Sequence, residues 1–177
     1  MNKKNYINLA KKTANIQITE LKKINKVFNN SFVKAIDLIL NCKGKVVFAG
    51  IGKSGLIARK ISATFSSVGI PSFFCDPAQA LHGDMGQIER KDILIIFSYS
   101  GNTAELTNML KYANRYRIKI IGVASKPESI LLKWAREYSL IDSDYLKLSK
   151  YYKEIEHPLY KLALYHIAVF FLLFCVA

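Results

Sequence analysis

The chain has 177 residues, 51% of them apolar and 22% charged, with 9 Gly and 4 Pro. That composition excludes a disordered, collagen-like or low-complexity chain, and the length suits one domain with a single core rather than two ordinary enzyme domains. Lys and Arg number 26 against 13 Asp and Glu, a formal charge of +13, which suits nucleic acid, acidic lipid or a small anionic substrate. Cys42, Cys75 and Cys175 are odd in number and far apart, with no CxxC and no Cys/His ligand spacing. Neither a disulfide framework nor a metal site is expected; each reads as a small buried hydrophobe in a reducing cytoplasm.

The N-terminus lacks the continuous apolar run of a secretory signal. Ile7, Ala10, Ala14, Ile18, Leu21, Ile24 and Phe28 recur at three- and four-residue steps, with lysines mostly off that stripe. This predicts an amphipathic helix over about 4–28 that packs with its basic face in solvent, in preference to lying on a membrane. A second helix is expected over about 31–42. The period then shortens. Lys45 to Ala49, Pro71 to Cys75, Asp92 to Phe97 and Lys119 to Ala124 read as strands, and the unbroken apolarity of the third suggests burial on both faces. Helices are expected over Leu56 to Val68, from the turn after Phe97 to about Tyr116, and from Pro127 to about Arg136; Tyr138 to Ile141 reads as a fifth strand. Alternating strands and helices imply right-handed crossovers, hence an α/β fold with a parallel sheet in three layers. The organisation is a single domain: helices over 1–42, the sheet core over 43–142, and a polar loop and final helix over 143–177. Leu159 to Ala177 is almost wholly apolar, but Lys161 and His166 interrupt it. A helix buried in a subunit interface is preferred there to a membrane span.

In open α/β sheets ligands bind beyond the carboxyl ends of the strands. Two glycine-containing turns fall at such ends, GIGKSG (Gly50–Gly55) and SYSGNT (Ser98–Thr103), and each opens a helix whose free N–H groups favour an anion. GIGKSG lacks the Walker frame. It matches GxGxxG letter for letter, a weak signal for a dinucleotide. SYSGNT gathers the hydroxyls of Ser98, Ser100 and Thr103. Hydroxyls with backbone N–H groups can wrap a phosphate without a metal, and the same geometry serves as a plain helix cap by Asn102 or Thr103. Glu105 stands on the first turn of the following helix, as a ligand neighbour or simply a favourable dipole charge. Between the second and third strands lies DPAQALHGDMG, where His82 is either a proton-transfer group or a hydrogen-bonded turn histidine. Lys53, His82, Glu105 and the hydroxyl turn occupy consecutive strand ends and read as one site.

These segments resemble the sugar isomerase (SIS) domain and, within it, the arabinose-5-phosphate isomerases of bacterial capsule and lipopolysaccharide synthesis. The matching residues are Gly50–Lys60, Ala63–Phe74, Pro77–Gly86, Ser98–Leu106 and Ile120–Ser129, across roughly residues 40–142. HGD combined with GKSG and SxSG is specific to that group; SxSG alone marks phosphosugar binding. The resemblance implies a flavodoxin-like five-stranded parallel sheet and a homotetramer. It implies that Ser98, Ser100 and Thr103, with Ser54, hold the substrate phosphate, that Gly52, Gly83 and Asp84 line the substrate, and that Lys53, His82 and Glu105 are catalytic. Family members carry a further glutamate, which Lys153 to Leu159 echoes only loosely, so Glu154 or Glu156 is the candidate carboxylate. The usual pair of regulatory CBS domains has no counterpart, and a single-domain form is expected.

The implied reaction interconverts D-ribulose 5-phosphate and D-arabinose 5-phosphate through an enediolate, with no cofactor and no metal. A non-catalytic phosphosugar-binding protein and an isomerase of another sugar phosphate are the alternatives. A nucleic-acid-binding protein is disfavoured, since no aromatic-basic cluster or known module appears.

Overall fold

The computed structural model describes residues 3–22 and 28–138. The elements run α1 (Lys3–Lys22), α2 (Asn30–Leu40), β1 (Val46–Gly50), α3 (Lys53–Ser67), β2 (Ser72–Cys75), β3 (Ile93–Phe97), α4 (Leu106–Arg115), β4 (Lys119–Val123) and α5 (Ile130–Tyr138), with two short 3₁₀ turns between β2 and β3. Four strands lie parallel in the order β2-β1-β3-β4. All four expected strands are present to within a residue. The fifth is not among the described residues: Tyr138 closes α5, and 139–177, with the expected polar loop and interface helix, lie outside them.

Burial explains the apolar strand runs. Every residue of the two central strands, β1 and β3, is buried, and side chains alternate between two cores. Phe48, Ile95 and Phe97 face one side with Ile36 and Ile39 of α2 and Ala58, Ile61 and Phe65 of α3. Val47, Leu94 and Ile96 face the other with Leu106, Met109 and Leu110 of α4 and Leu131 of α5. The result is the expected three-layer sandwich. Phe48 stacks on Phe97 and meets Phe65 edge-on, the geometry that aromatic quadrupoles favour.

Two helices stop by the same device with different residues. After α3, the Ile70 N–H reaches the Phe65 carbonyl and Gly69 N–H the Ser66 carbonyl, with Gly69 at φ 85°. After α4, Ile118 bonds Ala113 and Arg117 bonds Asn114, with Arg117 at φ 55°. Both are Schellman endings, which require a left-handed residue. At Arg117 a side chain bears that strain, so Arg117→Gly is expected to stabilise the fold by up to about 1 kcal/mol, read as a raised denaturation midpoint.

At the amino end of the sheet, Asp92 is buried immediately before β3. Its carboxylate accepts from the Lys45 N–H at 2.7 Å and the Glu89 N–H at 2.8 Å, and meets the Lys45 ammonium at 3.2 Å. A buried carboxylate is tolerable only when paired in this way.

Candidate functional site

The strand order places the reversal of winding between β1 and β3. β1 connects to β2 through α3 on one face, and β3 to β4 through α4 on the other. A crevice opens where crossovers diverge in this manner, beyond the carboxyl ends of the strands. GIGKSG and SYSGNT leave from paired residues there, since Gly50 is in register with Phe97. Gly50 is hemmed in by the end of β3 on one side and by its own turn on the other. A Cβ added at Gly50 would lie 3.0 Å from both the Phe97 carbonyl oxygen and the Ser54 backbone.

Gly52 adopts φ 59°, and α3 begins directly after it at Lys53, three residues earlier than the apolar pattern suggests. Lys53 is exposed and Ser54 half-buried in that first turn. Close approach of α3 to β1 is set by Gly55, where a Cβ would stand 2.6 Å from the Gly50 carbonyl oxygen.

The segment after β2 is fastened at both ends. Ala80 and Ile88 are buried in the α4-side core, and the Asp76 carboxylate accepts the Ala78 N–H at 3.0 Å. Between these anchors His82, Gly83 and Asp84 are exposed; Gly83 turns the chain at φ 122°, and the Gln87 amide donates to Asp84 at 3.3 Å. Asp84 and Asp76 lie near Cys75 at the end of β2. Burial foremost, then these two carboxylates, pushes the Cys75 thiol up to about 11. Cys75 therefore behaves as the expected small hydrophobe. In iodoacetamide mapping at pH 8 its peptide should stay unlabelled in the native protein, react on denaturation, and lag behind half-buried Cys42.

The SYSGNT turn is closed on itself. The Ser98 side chain is buried; its Oγ accepts the Gly101 N–H at 3.0 Å and lies 2.8 Å from Thr103 Oγ1. Ser100 Oγ accepts the Asn102 N–H at 3.2 Å. Gly101 sits at φ 66° with Ser129 packed on it, so a side chain there would collide. The Ser98 and Thr103 hydroxyls are thus brought together, with Ser100 bonded to its own turn, but neither Asn102 nor Thr103 caps α4. That helix begins at Leu106 after Glu105, which makes no side-chain cap bond. Asn102 is engaged elsewhere: its Oδ1 accepts the Ile130 N–H at 2.8 Å. Sequence spacing offered no signal for this bond, whose partners are 28 residues apart.

The candidates approach from two sides. Lys53 opens α3 on one face of the sheet. His82 follows Ala80 and Glu105 precedes Leu106, and both anchors belong to the core on the opposite face. Glu105, like Lys53 and His82, is exposed, and among the described residues no side-chain hydrogen bond or ion pair holds any of the three. Glu154 and Glu156 lie outside the described residues. Among those described there is no group of three or more metal-ligating side chains, and no helix long and apolar enough to cross a membrane.

Residues 39–144 match the sequence profile of the SIS domain. The arabinose 5-phosphate isomerase GutQ of Escherichia coli K12 is 41% identical over 125 residues, which span 71% of this chain and 39% of that protein. The arabinose 5-phosphate isomerase KdsD of Pseudomonas aeruginosa is 42% identical over 130 residues, or 73% of this chain and 40% of the relative. The chain therefore spans about two fifths of the curated relatives it matches. Among solved structures, an Escherichia coli CFT073 protein in complex with arabinose 5-phosphate superposes with a TM-score of 0.71 at 36% identity, covering 76% of this chain and 71% of that one. A sugar-phosphate isomerase candidate from Listeria monocytogenes gives 0.74 at 28% identity, covering 99% and 86%. The domain match covers more than half of the chain, on a fold whose glycine-rich and hydroxyl-bearing turns leave the carboxyl ends of adjacent parallel strands: this protein belongs to the SIS domain family.

Proposed function

We propose that the protein is an aldose–ketose isomerase that interconverts D-ribulose 5-phosphate and D-arabinose 5-phosphate. The observation that carries the reading is the self-closed hydroxyl turn of Ser98, Ser100 and Thr103, which leaves β3 beside the end of β1 that leads to Lys53 and Ser54. Such a turn suits a phosphate dianion, and the +13 charge draws sugar phosphates toward it. The relatives named as arabinose 5-phosphate isomerases supply the choice of sugar.

With the phosphate held there, the sugar extends toward the loops after β1 and β2, along Gly52, Gly83 and Asp84. A base removes the proton from C2 of the aldose and the same proton, or one exchanged with solvent, returns to C1. The hydroxyl proton passes in the same direction, from O2 to O1, and atoms and electrons balance without an oxidant. Glu105, His82 and one of Glu154 or Glu156 are the groups for these transfers, and Lys53 offers positive charge to the enediolate oxygens. The setting is cytoplasmic synthesis of capsule or lipopolysaccharide sugar by a homotetramer.

The exposure of Lys53, His82 and Glu105, none fixed by a partner among the described residues, favours a second reading: a phosphosugar-binding domain without turnover. Assay of the purified protein with ribulose 5-phosphate, followed by NMR, separates the two. Arabinose 5-phosphate formation supports the isomerase; calorimetric binding without conversion supports the binding domain; neither sinks both. Ser100→Ala should weaken sugar-phosphate binding by about 1–3 kcal/mol in calorimetry, the worth of a charge-assisted hydrogen bond, with the melting temperature nearly unchanged.

A further inference from the structure

We infer that Asn102 is a positioning residue that couples the hydroxyl turn to the amino terminus of α5; the inference rests on reading that turn as the phosphate site. The first N–H groups of a helix have no partner within the helix and are ordinarily capped by its own leading side chain. In α5 the Ser129 hydroxyl gives only a long bond, 3.5 Å from the Leu132 nitrogen. The first two donors are filled from the turn instead: the Ile130 N–H donates to Asn102 Oδ1 at 2.8 Å, and the Leu131 N–H to the Gly101 carbonyl at 3.0 Å.

The Gly101 carbonyl and the Asn102 N–H are the two ends of one peptide unit. A carbonyl that accepts from the positive end of a helix polarises its own N–H. That N–H points at Ser100 Oγ, a hydroxyl of the turn. The charge of the α5 terminus thus reaches the turn through this peptide, and Asn102 fixes its orientation. The remaining fastenings agree. The Ser125 N–H and hydroxyl both donate to the Tyr99 carbonyl, at 3.0 and 2.6 Å, and the Ser98 N–H donates to Val123 at 3.0 Å. The β4–α5 connection therefore serves as the template on which the turn is laid.

The test removes one bond from either side. Asn102→Ala deletes the acceptor. Ile130→Pro deletes the donor at the first helical position, where proline is tolerated. Each should raise KM for the sugar phosphate and the inhibition constant of inorganic phosphate by about fivefold, the net worth of a hydrogen bond, with kcat unchanged. The double variant should be no worse than either single one. In the wild-type protein, inorganic phosphate should shift the amide resonances of Ile130 and Leu131 along with those of the turn, a readout that does not depend on any variant folding. A KM effect in Asn102→Ala alone would mean that the amide touches the ligand itself, and would overturn the inference. So would unmoved Ile130 and Leu131 resonances, or unchanged KM in both variants, when phosphate does bind the turn. If phosphate leaves the turn's own resonances unmoved, it is the phosphate reading that fails, and the inference goes with it.

Discussion

Glu105→Gln and His82→Ala are each expected to lower turnover of ribulose 5-phosphate by about 10²–10⁴-fold, the range of a general acid or base, with much smaller changes in binding. Both side chains are exposed at the carboxyl edge of the sheet, and no hydrogen bond or ion pair among the described residues depends on either. Their removal should therefore leave the melting temperature nearly unchanged, since exposed substitutions cost little. Measuring turnover, binding and melting on the same preparations makes the result decisive. A melting loss with normal turnover would return both residues to plain structural roles. Near-wild-type turnover in both would move the base to Glu154 or Glu156.

The opposite pattern is expected at the other end of the sheet. Asp92→Ala strands the Lys45 and Glu89 N–H groups and leaves the Lys45 ammonium with Glu89 alone. Leaving a backbone donor without its partner costs about 1–3 kcal/mol, so the denaturation midpoint should drop. Sugar-phosphate KM, measured below the new midpoint, should stay close to wild type, because the site lies at the far ends of the strands. An equal loss of affinity would show that the two ends are not independent. The Lys45 ammonium is partly desolvated, which lowers its pKa, but Asp92 and then Glu89 outweigh this and raise it. Its contribution is therefore complete below the ordinary lysine pKa and is lost as pH rises through the raised one. The stability gap between wild type and Asp92→Ala should narrow in strongly alkaline solution.

Strands were the most legible feature because burial on both faces leaves an unbroken apolar run, and the run from Ile93 to Phe97 has no other reading at that length. Helix starts were less so. α3 begins at Lys53, before its apolar stripe, because Gly50 and Gly55 let the backbones approach; α4 begins late because Asn102 and Thr103 bond across the turn rather than along the chain. The hydroxyl set Ser98, Ser100 and Thr103 could be proposed from spacing alone, since one turn holds all three. Asn102 and Ser125 could not, as their partners come from another loop. For Asp92 there was a faint signal, a carboxylate directly before a wholly apolar strand, but not the two N–H groups it satisfies.

The self-closed hydroxyl turn has a consequence for selectivity. The Gly101 and Asn102 N–H groups of the turn already have partners. An arriving anion must take them from Ser98 and Ser100, and separate the Ser98 and Thr103 hydroxyls, before it gains their bonds. Each exchange yields only the difference between a charge-assisted and a neutral hydrogen bond. Free phosphate, which has nothing but those exchanges to offer, should bind the turn more weakly than a sugar phosphate, yet still shift its resonances when abundant. A phosphorylated sugar adds contacts along the loops after β1 and β2, so the tail and not the anion decides what stays bound.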